Sequence, residues 1–468
     1  MLRSIFVTTI FLVFNAFFAS PTIADTTHAP EFADHPSLEL RALDARYVAE
    51  LDSLVFTIEA AGDAASITPE PAGQVHGAPV LGYVFTTDLS PSDVGFRRDA
   101  GTVALAITSH PDFDDTPLWD EDQNEAYDDD GAVYHAHWVV LDADQRAPAG
   151  LAVVQADKND VLPPTAPMPM YLDSPGFTVV ERGNRLHTIV PADRVKRRVD
   201  LEIGALTAFM RVDASGDRPL LAVHHVLSKL DTTRKVTGTQ AAAKSAWPRA
   251  TTDENPAALD VTAATATYFE SLDTYHVSLD VRGRVATVMP IAAGQVDGAP
   301  VLGYVFPTTM PPASVGFREI EGTLVLAVTS HPDFDDTPLW DENLDSDYGN
   351  DGATYHVHWA VLVDDEASPA GLSVPSQADK SLLPPTAPMP MYLDSPGYHA
   401  FANGSRLSVL VPGWHLRGID TFRFDALTAH MRVDASGPNP VLRVEKVIDL
   451  LSGDLSLPFT PQTVDDVP

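Results

Sequence analysis

Cysteine is absent from the 468 residues, so no disulfide can brace the fold, no thiolate can ligate a metal, and no lipid can be attached to an N-terminal cysteine. Stability must come from packed cores, to which bound ions could add. Lysine is scarce among the 30 basic residues, which face 65 acidic ones. The formal charge of -35 repels nucleic acid and anionic membrane and concentrates cations near the surface, which argues against nucleic-acid binding. A solvated acidic surface suited to salty surroundings accounts for most of this charge, and only local clusters of aspartate call for more. Long apolar runs are missing beyond the first residues. There, Ile5 to Phe18 follows Arg3 and precedes small residues around Thr22 to Ala24, which reads as an export signal over residues 1–24. The run is short for a bilayer, so the mature chain is expected to be periplasmic or extracellular, with no membrane span. Also missing are a Gly-x-Ser-x-Gly elbow, a His-Glu-x-x-His helix and a phosphate-binding glycine loop, which removes the common hydrolytic and nucleotide signatures.

What is present is an internal repeat. His331 follows His110 by 221 residues, and the same offset relates Met389 to Met168 and Asp434 to Asp213. A constant offset of this size marks tandem copies of one domain. The first is assigned to residues 25–230 and the second to 261–468, with 231–260 as a Thr- and Ala-rich linker. Identity between the copies is uneven. Thr178 to Gly204 differs widely from its counterpart, whereas Ser109 to Glu121 is identical to Ser330 to Glu342, and Leu162 to Gly176 to Leu383 to Gly397.

Short alternating runs such as Val103, Leu105, Ile107 and Leu324, Leu326, Val328, broken by Gly, Pro and Asp, predict an all-β chain. Asn403-Gly404 between two such runs is a hairpin signal. One sheet alone cannot cover its apolar face, so two tandem antiparallel β-sandwich domains are expected. The strand, polar turn and second strand that open each copy resemble, in layout alone, extracellular ligand-binding sandwiches of the DOMON and carbohydrate-binding type.

Of the 16 histidines, three positions coincide between copies: His110 with His331, His135 with His356, and His137 with His358. Strand alternation in Tyr134-His135-Ala136-His137-Trp138 puts both imidazoles on one face and the aromatics on the other, a spacing that suits one shared ion. Tyr355, Val357 and Trp359 repeat the inward face around His356 and His358. Paired histidines on a solvated face are the bland alternative. His110 precedes Asp112, Asp114 and Asp115, and His331 precedes Asp333, Asp335 and Asp336, which adds oxygen donors for a divalent metal, zinc or copper. Turn formation also uses such aspartates. His224, His225 and His187 lack counterpart histidines and read as ordinary strand residues.

The next loop carries Asp120, Asp122, Asn124, Asp128 and Asp130 in the first copy, and Asp341, Asn343, Asp345, Asp347 and Asp351 in the second. Alternating oxygen donors suit calcium, although neither the sixth nor the twelfth position fits an EF-hand; a solvated acidic loop reads equally well. Met168 and Met170, with Met389 and Met391, are soft donors for copper, while core filling is methionine's commoner use. Trp119 and Trp138 suit either a sugar platform or a core.

The expected function is therefore an exported, non-catalytic protein binding a divalent metal in each copy. A calcium-stabilised module for carbohydrate or a surface protein is one alternative, and a metal-dependent hydrolase activating water at an open site is another. If the aspartate loops bind calcium, a chelator lowers the melting temperature and added calcium restores it, at matched ionic strength. A melting curve indifferent to chelator reduces the loops to solvated turns.

Overall fold

The computed structural model describes residues 32–70, 75–111, 120, 122, 132–155, 171–173, 177–216, 219–238, 256–291, 296–318, 320–332, 341, 343, 353–376, 391–394 and 398–466. Residues 1–31, with the expected export signal, lie outside this set. Among the described residues there is no α-helix, and no helix is long and apolar enough to cross a membrane. The chain is all-β.

In the first half the strands are β1 (Leu40–Val48), β2 (Ser53–Ala60), β3 (Pro79–Thr87), β4 (Thr102–Ser109), β5 (His135–Ala143) and β6 (Leu151–Val154). They continue as β7 (Tyr171–Asp173), β8 (Val179–Arg182), β9 (Arg185–Pro191), β10 (Leu201–Asp213), β11 (Leu220–Lys229) and β12 (Arg234–Val236). In the second half come β13 (Val261–Phe269), β14 (Thr274–Val281), β15 (Pro300–Pro307), β16 (Thr323–Ser330), β17 (His356–Asp364) and β18 (Leu372–Pro375). The last six are β19 (Tyr392–Asp394), β20 (Ala400–Asn403), β21 (Arg406–Pro412), β22 (Leu427–Asp434), β23 (Val441–Leu450) and β24 (Gln462–Val464).

Each half forms two sheets. In the first, β1-β2-β9-β8 makes a four-stranded sheet. The second sheet runs β11-β6-β5-β4-β3-β10, and β10 pairs back onto β11, so six strands close into a barrel. In the second half β20-β21-β14-β13-β24 makes the open sheet, with β24 parallel to β13, and β16-β15-β22-β23-β18-β17 closes through the pairing of β16 with β17. Register is the same in both halves: Leu81 faces Ser109 as Leu302 faces Ser330. Arg234–Val236, inside the expected linker, pairs with β10 and extends the first barrel's sheet.

Closure goes beyond the simple sandwich that the alternating pattern predicts, and its physical cause lies in β10 and β22. Both slip register against their neighbours, at Thr207/Ala208 and Phe209/Met210 in one and at Thr428/Ala429 and His430/Met431 in the other. Such bulges bend a strand and raise its twist, which lets a sheet curl until its edges meet. A barrel of only six strands is narrow, so small residues must line it. At Gly82 and Gly303 an added Cβ would fall 2.9 Å from the thioether methyl of Met210 or Met431.

The barrel strands are consequently buried on both faces. Leu105, Ile107, Tyr134, Ala136 and Trp138 face the open sheet in one core with Phe56 and Ile58. The alternate positions Ala104, Ala106, Val139 and Leu141 fill the barrel interior. Tyr83 and Tyr304 tie the two layers, their hydroxyls donating to Ser37 O at 2.7 Å and Ala258 O at 3.0 Å.

The halves also meet. Val48, Leu51, Val55 and Ile189 share an apolar cluster with Phe269, Leu272, Phe401 and Leu410. Beside it His399 lies between two carboxylates of the first half, 3.5 Å from Asp52 and 3.6 Å from Asp193. Arg197 donates to both oxygens of Asp52. Burial raises the carboxyl of Asp52, but the His399 and Arg197 contacts outweigh it and hold it down to about 2. The folded group titrates below its ordinary 3.8, so its contribution, about 2 kcal/mol, is complete above pH 4 or so and is lost as pH falls through its folded value. Asp52→Asn, which removes the carboxylate that Arg197 donates to, should lower the melting temperature near neutral pH. The gap to wild type should narrow between about pH 4 and about pH 2 in scanning calorimetry. A constant gap across that range refutes the assignment.

Candidate metal centre

Antiparallel pairing brings the repeated histidines together. In the first barrel Thr108 on β4 faces His135 on β5, and Ala106 faces His137. His110 lies just past the end of β4, one pleat beyond the Thr108–His135 pair. Side chains two positions apart point the same way, so His110 follows Thr108 and Ala106 toward the interior. His135 and His137 do so from the neighbouring strand. The second barrel repeats this with Thr329 facing His356 and Ala327 facing His358.

The three imidazoles of each barrel offer nitrogens within 4.8 Å of one another. Ring centroids are 4.7, 5.8 and 4.5 Å apart in the first half, in the order His110–His135, His110–His137 and His135–His137. The matching values in the second half are 4.7, 5.9 and 4.5 Å. Five of the six histidines are buried and His135 is partly so. The solvated-face alternative is therefore overturned: barrel closure turns this face inward, whereas an open sandwich would leave it wet.

Hydrogen bonds orient the rings. His110 Nδ1 lies 3.0 Å from Pro111 O and His135 Nδ1 2.9 Å from Val133 O. His331 and His356 make the matching contacts to Pro332 O and Thr354 O, both at 3.0 Å. A carbonyl can only accept, so Nδ1 carries a proton in these four rings, which leaves Nε2 as the nitrogen that could ligate, the arrangement that metal-ligating imidazoles adopt. Ser109 Oγ donates to Ala132 O at 2.6 Å, and Ser330 Oγ binds Ala353 O in the same way. Each bond clamps the two ends of the long loop between the histidine strands.

Three imidazoles suit zinc, copper, iron or nickel; they do not suit calcium, which takes oxygen. Among the described residues, these triads are the groups of three or more His, Asp or Glu placed to hold an ion.

Several sequence candidates lie outside the described residues: Asp112, Asp114 and Asp115 with Asp333, Asp335 and Asp336; Asn124, Asp128 and Asp130 with Asp345, Asp347 and Asp351; and Met168, Met170 and Met389. Of the acidic loops, Asp120 and Asp341 are buried and Asp122 and Asn343 exposed. Met391 is buried among the residues lining the second barrel, with His331 and His358, and the Tyr392 ring packs at a 57° tilt against His358 with centroids 4.4 Å apart. His224, His225 and His187 sit apart from the triads on β11 and β9.

Two features escaped the sequence reading. The backbone of Asp173 on β7 pairs in register with His137, and Asp394 on β19 with His358, where Asp-Ser-Pro-Gly reads as a turn. The segment identical between copies thus leads into a strand that flanks the histidine strand. An apolar chamber also lies directly against the triad, lined in the first barrel by Ala106, Thr108, Val139 and Met210 beside His110 and His137. Its signal is the near-continuous run Thr102–Ser109, where Ala104 and Ala106 between the larger apolar residues announce a strand buried on both faces.

No family model and no curated protein matches the chain. Among solved structures, a 1.5-MDa bacterial ice-binding adhesin retained on host cell surfaces aligns at 10% identity, covering 92% of this chain and 99% of that one, with a TM-score of 0.10. A Ca2+-stabilised adhesin with which an Antarctic bacterium binds ice aligns at 11% identity, covering 91% and 100%, with a TM-score of 0.07. Scores this low mark no shared fold and carry no argument about function.

In metal-free protein at pH 8, long-range 1H–15N NMR should find His110, His135, His331 and His356 protonated on Nδ1. Protonation on Nε2 in these rings would show that the lone pairs are not aimed at a shared ion.

Proposed function

We propose that this is an exported, non-catalytic protein in which each of two tandem copies, residues 25–230 and 261–468, binds one divalent transition-metal ion through its histidine triad. The observation that carries the reading is convergence. Three imidazoles from two adjacent strands meet at one end of a barrel, twice, with centroid separations agreeing to 0.1 Å between the halves. Packing alone supplies no reason for three buried imidazoles to meet, because each costs desolvation that an alanine or valine would not incur. The ligands in this reading are His110, His135 and His137 in one copy and His331, His356 and His358 in the other, with zinc or copper the ions their chemistry suits. The acidic surface would raise the local cation concentration at both sites.

Protein purified without chelator or metal-affinity tag should carry two equivalents of metal per chain by elemental analysis. His137→Ala should bring this to one equivalent, and His137→Ala with His358→Ala to none, since losing one of three ligands removes most of the affinity. His224→Ala and His225→Ala should leave two. Full stoichiometry in the double variant would reject the site.

A further inference from the structure

The triads do not close over solid protein. In the second barrel a cavity of about 50 Å³ begins at His331, His358 and Thr329 and runs down the interior between Ala327, Ala360 and Met431. In the first, the matching cavity of about 30 Å³ begins at His110, His137 and Thr108. The walls differ at one cross-strand pair: Val325 faces Ala360 where the first barrel has Ala104 facing Val139, so the same two methyl groups project from the opposite strand and the free space at that level lies beside the histidine strand.

Apart from one threonine and the edges of the histidine and tyrosine rings, hydrocarbon lines the chamber. A water needs two to four polar partners and about 10–15 Å³; apolar chambers larger than that stay dry and take apolar guests. An anion or a hydrated substrate would lose its solvation there without recompense. We propose that the second barrel's chamber binds a small, uncharged, apolar molecule, of the size of a diatomic gas or a short alkyl group. Such a guest would lie beside His331 and His358 and so next to any metal that they hold; that neighbour rests on the metal-binding reading, whereas occupancy of the chamber does not.

Xenon is the probe, applied under pressure to full-length protein with labelled methyl groups, both stripped of metal and zinc-loaded. Saturable shifts should appear at Ala327 and Ala360, and affinity should be about twofold higher in the second barrel than in the first, as the larger void predicts. Ala360→Val should remove that advantage and Val139→Ala should raise affinity in the first barrel. Ala360→Val adds two methyl groups opposite Val325 and Val139→Ala removes two opposite Ala104, so each variant is first checked for folding by circular dichroism, and zinc stoichiometry should stay at that of wild type. Absence of saturable xenon shifts in folded wild-type protein, or affinities that ignore both substitutions, overturns the proposal. Xenon binding without zinc uptake would keep the chamber and reject the metal reading, and zinc uptake without xenon binding would do the reverse.

Discussion

Closure of the six-stranded barrel is the constraint from which the rest of the structure follows. An open sheet would offer one face of β4 and β5 to water, and the histidines there would be surface decoration. Because β10 pairs with both β3 and β11, that face becomes an interior. Backbone polar groups at the sheet edges find partners, and the side chains at alternate positions must pack against one another across a narrow lumen. The bulges in β10 and β22 make this possible, and the glycines under Met210 and Met431 make it fit.

Once the lumen exists, burial sets the chemistry of its end. Imidazoles in such a place need partners for both nitrogens, and backbone carbonyls at Pro111 and Val133, with Pro332 and Thr354 in the other half, satisfy one nitrogen of each ring they touch. That makes Nδ1 a donor and leaves Nε2 as the nitrogen that could ligate. The serine clamps beside the triads hold the strand ends at which His110 and His331 project. Orientation here comes from main chain and short side chains, which lose little entropy on ordering, and this explains how two separate barrels reach nearly the same ring geometry.

The contact between the halves obeys different rules. Its apolar cluster is ordinary burial, but Asp52, Asp193 and Arg197 form with His399 a polar group largely shut away from water, and buried ion pairs stabilise only while every partner is present. Asp273, the counterpart of Asp52, accepts from Tyr268 as Asp52 does from Tyr47, but its other partner is the backbone of Trp414, where Asp52 has the side chain of Arg197. The two halves have thus diverged where they touch and stayed alike where the histidines meet.

Much of this was legible in the residues themselves. Period-two alternation determines strands because side chains must alternate about a pleated backbone, the constant offset determines two like halves, and the coincidence of three histidines per copy singles out the triad, since spacing two along a strand is enough to align His135 with His137. Proximity of His110 to that pair was not legible, because it depends on which strand lies beside which and in what register. The direction in which the histidine face points was not legible either: alternation separates two faces without saying whether the second meets solvent or the inside of a barrel. That was decided by long-range pairing of β3 with β10 and of β15 with β22, an event between segments distant in sequence whose only local traces are bulges, a pair of glycines and a run of small residues.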